Sequence, residues 1–190
     1  MIEEGVFLKN LYSREEMLEI NIKTLKENGI SVHDIALIAY NQQSKYIKDI
    51  PMSVCEESVL KILSLRDVFH HVQLGSEIDR LANLGMFQGP IQDILSSDLG
   101  LFGIDELVGL DIAGLYGVIG QTNFGDIDVN KPGIVHELNE QGKNGRCFTF
   151  MDDIVGAIAA AASTRVAQVM NEELANEDPR VHSISLFDEI

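Results

Sequence analysis

Apolar positions along the chain recur at helical spacing, and capping signals punctuate them at regular intervals. Met17, Ile20, Ile22 and Leu25 follow Ser13-Arg14-Glu15-Glu16, which has the form of a capping box, and Asn28-Gly29 supplies the stop. Ser31 with Asp34 opens a second helix, whose apolar stripe is Ile35, Ile38 and Ala39. Ser53 and Glu56 predict a third helix after Pro51. Ser64 and Asp67 predict a fourth, interrupted at Gly75 and restarted by Ser76 toward Gly85. Pro90 marks the first turn of a short helix that ends near Asp98-Leu99-Gly100.

The second half has a different texture. An apolar helix is predicted from Ile104 to Gly120, studded with Gly109, Gly114 and Gly117, followed by a turn through Asn123-Phe124-Gly125. A further helix is predicted from Asp128 to Gln141 with Pro132 in its first turn, then a loop over Gly142-Lys143-Asn144-Gly145. From Thr149 a long helix, Ala-rich between Gly156 and Ala162, runs to Asn176. Cys147-Phe148-Thr149-Phe150 could pass for a strand, but no second segment offers it a partner. The expectation is an all-α, single compact multi-helix domain of roughly nine helices, with Gly/Ala-rich faces that let helix axes approach closer than the usual ~8–10 Å. It divides into an N-terminal helical extension (1–88), a helical core (89–176) and a C-terminal tail (177–190).

Charge narrows the function classes. Lys and Arg number 14 against 30 Asp and Glu, a net charge of −16, which argues against nucleic acid and against docking on an anionic lipid surface. Such a chain concentrates cations instead. No apolar run approaches the ~18–20 residues that span a bilayer, and the acidic start Met1-Ile2-Glu3-Glu4 lacks the form of a signal peptide. Cys55 and Cys147 are far apart with no CxxC spacing, so structural zinc and disulfides are not expected. The protein reads as cytoplasmic and reduced.

One pattern recurs. Asp105-Glu106-Leu107-Val108-Gly109 and Asp152-Asp153-Ile154-Val155-Gly156 share the form Asp-acidic-apolar-Val-Gly. Successive helical residues point about 100° apart, so one acid of each pair is expected to face inward and the other to face solvent. Packing of the two helices through Gly109 and Gly156 would gather four carboxylates, and a hard divalent cation with oxygen ligands relieves their repulsion. The same acids would also serve as ordinary complements to a helix dipole. Between them lies Asp126-Ile127-Asp128-Val129-Asn130-Lys131-Pro132, where Asp128 is either a ligand or an N-cap. Lys131 suits a phosphate oxygen or a surface ion pair. Arg146 is a second phosphate-binding candidate or a solvated arginine, and Asp111 is left open. His70, His71 and His136 lack zinc spacing and are read as packing or surface residues.

Taken in order, these three elements resemble the phosphatidylglycerophosphatase A family, which pairs an Asp-Glu-x-x-Gly element, an Asp-x-x-Lys-Pro element and a Met-x-Asp-Asp-Ile-Val-type element. The resemblance covers Gly100 to Ala162, and the absence of membrane-length apolar runs looks like the soluble, YutG-like branch. It implies a magnesium-dependent phosphomonoester hydrolase, with calcium able to substitute in binding, whose named lipid substrate is phosphatidylglycerophosphate. By the match, Asp105, Glu106, Asp128, Asp152 and Asp153 serve the metal and Lys131 the phosphate. Asp153 or Glu106 is the candidate general base, and a covalent aspartyl-phosphate route is equally open. Two positions depart from the family pattern. Gly125 stands three residues before Asp128, where a basic residue is frequent, and Gly89-Pro90 is a poor remnant of an early Gly/Pro-rich motif.

The expected partner is a phosphate-ester small molecule or a lipid headgroup, met in the cytoplasm or transiently at the inner face of the membrane. The alternative is a non-catalytic, metal-binding helical oligomer descended from such an enzyme. A homo-oligomer is expected on either reading, because the Gly/Ala faces need cover.

Overall fold

A computed structural model describes residues 11–98 and 102–177, and these form nine helices and no strand. The first two begin as expected. The Ser13 hydroxyl accepts from the Glu16 amide while the Glu16 carboxylate accepts from the Ser13 amide at 2.7 Å, and this reciprocal box opens α1 (Arg14–Glu27). Ser31 and Asp34 do the same for α2 (Val32–Gln43). The next two, α3 (Met52–Leu63) and α4 (Arg66–Asn83), start differently. Pro51 and Leu65 hold their N-cap positions and neither supplies a side-chain cap. Ser53 falls inside α3. Ser64 closes α3 rather than opening α4, donating to the Lys61 carbonyl and accepting from the Arg14 guanidinium. Gly75 does not interrupt α4, which is continuous.

After α5 (Pro90–Ser96), whose proline opens the first turn as expected, residues 99–101 lie outside the described set. The largest correction comes next. Instead of one helix to Gly120, α6 (Ile104–Gly114) stops at Leu115-Tyr116, and α7 (Gly117–Asn130) runs straight through Asn123-Phe124-Gly125. The reversal is made at Gly117, whose φ of +70 is available to glycine at no steric cost. Asp128 therefore sits in the last turn of α7 and is not an N-cap. Pro132 precedes α8 (Ile134–Lys143), whose N-cap is Gly133, and Gly142 and Lys143 belong to that helix rather than to a loop.

The antiparallel α6–α7 pair is close because Gly120 has no side chain: a Cβ there would collide with the Ala113 carbonyl. A backbone oxygen cannot swing aside as a side chain can. Gly120→Ala is expected to cost about 3 kcal/mol, the upper end for overpacking, and thermal melts against the same change at Gly142, where an added Cβ meets open space, check this.

At the centre lies α9 (Met151–Glu177), on which α2, α3, α4, α6, α7 and α8 all pack. Every residue from Met151 to Thr164 is buried. A helix covered on all sides must be apolar or small on all sides, which accounts for the run Ala157 to Ala162. Gly109 and Gly156 do not meet each other. Both face α7, Gly109 against the Phe124 ring and Gly156 against Ile127 and Phe124, so α7 packs on both α6 and α9, which also touch each other directly. Cys55 and Cys147 are buried free thiols, and burial pushes each up to about 11. No described helix is long and apolar enough to cross a membrane.

Candidate metal centre

Asp105 and Glu106 stand in the first turn of α6, after Gly103 turns the chain at φ +70. Asp152 and Asp153 stand in the first turn of α9. Asp105 is buried and Glu106 half-buried with its Oε2 buried, so both acids turn toward the same cluster and the inward/outward split expected of a helical pair is not made. The second pair does not make it either: Asp152 and Asp153 are both buried, because α9 has no solvent side at this depth.

Asp105, Glu106 and Asp153 each present a carboxylate oxygen within 4.8 Å of the other two. Asp105 Oδ1 accepts from the Glu106 amide at 3.1 Å, and Asp152 Oδ1 accepts from the Asp153 amide at 2.9 Å. Glu106 Oε2 is buried with no hydrogen-bond partner. A buried acceptor of this kind costs about 1–3 kcal/mol unless something compensates it. Three converging carboxylates, one of which carries an unpartnered buried oxygen, fit an oxygen-seeking divalent cation such as magnesium or calcium.

Asp128 and Asp152 belong to a second, adjoining group. Lys131 Nζ donates to Asp128 Oδ1 at 2.7 Å, Asp152 Oδ2 at 3.1 Å and Asp153 Oδ1 at 3.3 Å. The five acids therefore divide, with Asp153 shared between the groups. Lys131 ends α7 in the left-handed region at φ 42, a conformation rarely taken by a residue with a side chain, and it also precedes a proline. The surrounding ion pairs hold it there, and its ammonium lies among the acids.

Burial raises the carboxyls of Asp105, Asp152 and Asp153, and the local charges sort them. Asp105 is pushed up to about 8 by burial, the adjoining Glu106 carboxyl and the charge of Asp153. Asp153 reaches about 8 through burial and Asp152, against the pull of Lys131. Asp152 is held to about 7 because Lys131 offsets more of its burial. Burial disfavours the Lys131 charge, but Asp152, Asp128 and Asp153 outweigh it and lift the ammonium well above the ordinary lysine range.

Other candidates lie elsewhere. The Arg146 guanidinium stacks over the Phe148 ring, 4.5 Å from its centroid, and reaches Gln141 Oε1 at 3.5 Å; its described contacts do not include the acids. Asp111 is exposed and pairs with His71 Nε2 at 2.9 Å, tying α6 to α4. Two acids take a part that the sequence did not reveal: Asp79, which it did not single out, and Asp98, which it placed only at a helix end. Asp79 on α4 is buried and accepts from the Phe150 and Met151 amides at the start of α9; burial pushes its carboxyl to about 6 despite those bonds. Asp98, an acid at the end of α5 by sequence, raises both Asp79 and Asp152 by its charge. Sequence separation hides both: Asp79 lies 71 residues from Phe150.

Residues 46–168 match the family described as phosphatidylglycerophosphatase A. The chain is 41% identical over 167 residues to the uncharacterised protein YpjQ of Bacillus subtilis (strain 168), covering 88% of this chain and 93% of that one. It is 43% identical over 143 residues to YutG of the same organism, covering 75% and 86%. The crystal structure of YpjQ superposes with a TM-score of 0.80 over 85% of this chain and 99% of that one. That of the low temperature requirement C protein from Listeria monocytogenes is 40% identical, with a TM-score of 0.78 over 82% and 97%. The order of acidic elements, the all-helical fold and the extent of these matches agree: the chain belongs to the phosphatidylglycerophosphatase A family, beside its YutG- and YpjQ-like members.

Proposed function

We propose that the protein is a magnesium-dependent phosphomonoester hydrolase, and the observation that carries this reading is the unpartnered, buried Glu106 Oε2 within the Asp105–Glu106–Asp153 trio. These three carboxylates would hold the ion. A bound divalent cation supplies Lewis-acid polarisation of a phosphoryl oxygen and a water of lowered pKa. Asp128 and Asp152 hold the Lys131 ammonium beside the trio, where it would meet negative charge as it grows on the phosphate oxygens. Asp153 touches both groups, so it would orient Lys131 and also act as ligand or proton acceptor. Arg146 would reach the phosphate only after leaving the Phe148 ring, so the anion contact falls first to Lys131.

The substrate on this reading carries a phosphate monoester, either free or on a lipid headgroup, and the protein works in the cytoplasm. Exposed Leu107, Val118 and Ile119 on α6 and α7 support a covered apolar face, in keeping with a homo-oligomer. Hydrolysis of p-nitrophenyl phosphate and of phosphatidylglycerophosphate in mixed micelles, each with and without magnesium, tests the activity and separates the two substrate sources. Magnesium at about 100 times its Kd should add about 2.7 kcal/mol, or roughly 5–10 °C in Tm. A melt unchanged by magnesium, calcium or chelator would remove the metal centre from the account.

A further inference from the structure

We propose that Asp79 is the positioning residue of the acid centre: from α4 it fixes the first turn of α9 at the depth and rotation that bring Asp153 to Asp105 and Glu106. The ion in this proposal rests on the function proposed above; the geometry does not.

Helix α9 begins at Met151, which puts Phe150 at the position where a serine, threonine or aspartate normally caps the free amides of a first turn. A phenyl ring cannot accept them. The cap comes instead from another helix. Met151 N–H donates to Asp79 Oδ2 at 2.9 Å, and Phe150 N–H donates to Asp79 Oδ1 at 3.1 Å. The next amides are met locally: Asp152 N–H donates to the Phe148 carbonyl, Asp153 N–H to Asp152 Oδ1 and Ile154 N–H to the Phe150 carbonyl.

Two acceptor oxygens on one rigid carboxylate fix the turn's rotation as well as its position. A serine or asparagine at residue 79 would offer fewer acceptors. The neighbours on the same face of α4 act on the same segment. One turn before, a Cβ on Gly75 would strike Ile154 and lie 3.2 Å from Phe150 Cβ, so glycine there allows the two helices to touch. One turn after, Asn83 accepts from Cys147 N–H at 2.7 Å and donates to the Cys147 carbonyl at 3.0 Å. Residues 75, 79 and 83, spaced four apart on one face, together grip the chain from Cys147 to Ile154. The acid pair Asp152-Asp153 lies within that grip. A displacement of about 1 Å in such a constellation is enough to disable it.

The test compares the full-length wild type with Asp79→Asn, Asp79→Glu and Ser31→Ala, which removes the cap that Ser31 forms with Asp34 on α2. Magnesium affinity is measured by titration calorimetry and the positions of the trio by crystallography. Asp79→Asn should weaken magnesium by roughly tenfold or more. It should also spread the Asp105, Glu106 and Asp153 oxygens beyond the 4.8 Å of the wild type. Asp79→Glu keeps both acceptors on a longer arm and should fall between. Ser31→Ala should lower Tm with magnesium affinity within twofold of wild type. Either Asp79 variant folding with unchanged affinity and an unchanged trio would overturn the proposal. So would the unfolding of both, since Asp79 would then determine the fold and not the site. Should the wild type take up no magnesium, the proposed function fails, and the trio spacing in the variant crystals alone decides the role of Asp79.

Discussion

Asp153→Asn is expected to lower phosphate-ester turnover by roughly 10²-fold or more while leaving the protein folded and, without metal, harder to melt. Asp153 is the acid common to both groups, so its charge serves the candidate ion and Lys131 together. Asparagine keeps the shape and removes the charge. On the stability side two effects oppose. The variant weakens one Lys131 contact, but at 3.3 Å this is the longest of the three. It also removes a carboxylate that burial and Asp152 push up to about 8, which means its ionised form is unwelcome in the folded state at neutral pH. The second effect is the larger, so Tm without metal should rise by a few degrees. Glu16→Gln, a change confined to the α1 capping box, is the control and should leave turnover unchanged. Turnover within threefold of wild type in Asp153→Asn would take this acid out of the mechanism.

Lys131→Met should produce the opposite result. Removing the cation that Asp128, Asp152 and Asp153 share leaves their charges uncompensated, a loss of about 3–5 kcal/mol when a partner is stripped from a buried ion pair. The loss depends on pH. Carboxyls whose folded pKa lies above the unfolded one bind more protons when folded, so their ionisation erodes stability as pH climbs from the unfolded value, about 4, through the folded one. For Asp152 and Asp153 the folded values are about 7 and about 8 in the wild type, and without the ammonium both move higher. Lys131, raised above its ordinary range, contributes constantly below pH 10. The wild type without metal should therefore melt lower at pH 8 than at pH 6, and Lys131→Met should widen that gap. Asp153→Asn should narrow it. Melts at the two pH values in chelator give the answer; equal gaps in all three proteins would show that these acids do not titrate as a buried group.

What the sequence disclosed and what it withheld follow from the range of the interactions. The Ser13–Glu16 and Ser31–Asp34 boxes were readable because a cap three residues from its partner is local chemistry. So was the Ala-rich stretch of α9. The three acidic elements could be found by their order. The break between α6 and α7 could not, because Gly109, Gly117 and Gly120 look alike in a sequence. Only packing makes one a contact with Phe124, one a reversal and one a seat for the Ala113 carbonyl. At the site, sequence brought five acids forward as one set, whereas folding divides them by placing Lys131 in their midst. Asp79 was invisible for the same reason: its partners are amides, which every residue carries.

The burial of α9 on all sides from Met151 to Thr164 has a consequence for how the molecule comes into being. Protein synthesis delivers the N-terminal end first. The helices from α1 to α8 leave the ribosome before the element that fills the space between them. Until Met151–Ala162 arrives, they hold an open apolar trough and most of their long-range contacts are unmade, a topology that folds late and as a whole. The acids of α6 and α9 thus confront one another only at the final step of folding. An unfinished chain carries only the part of that electrostatic burden that lies within α6, where Asp105 and Glu106 adjoin.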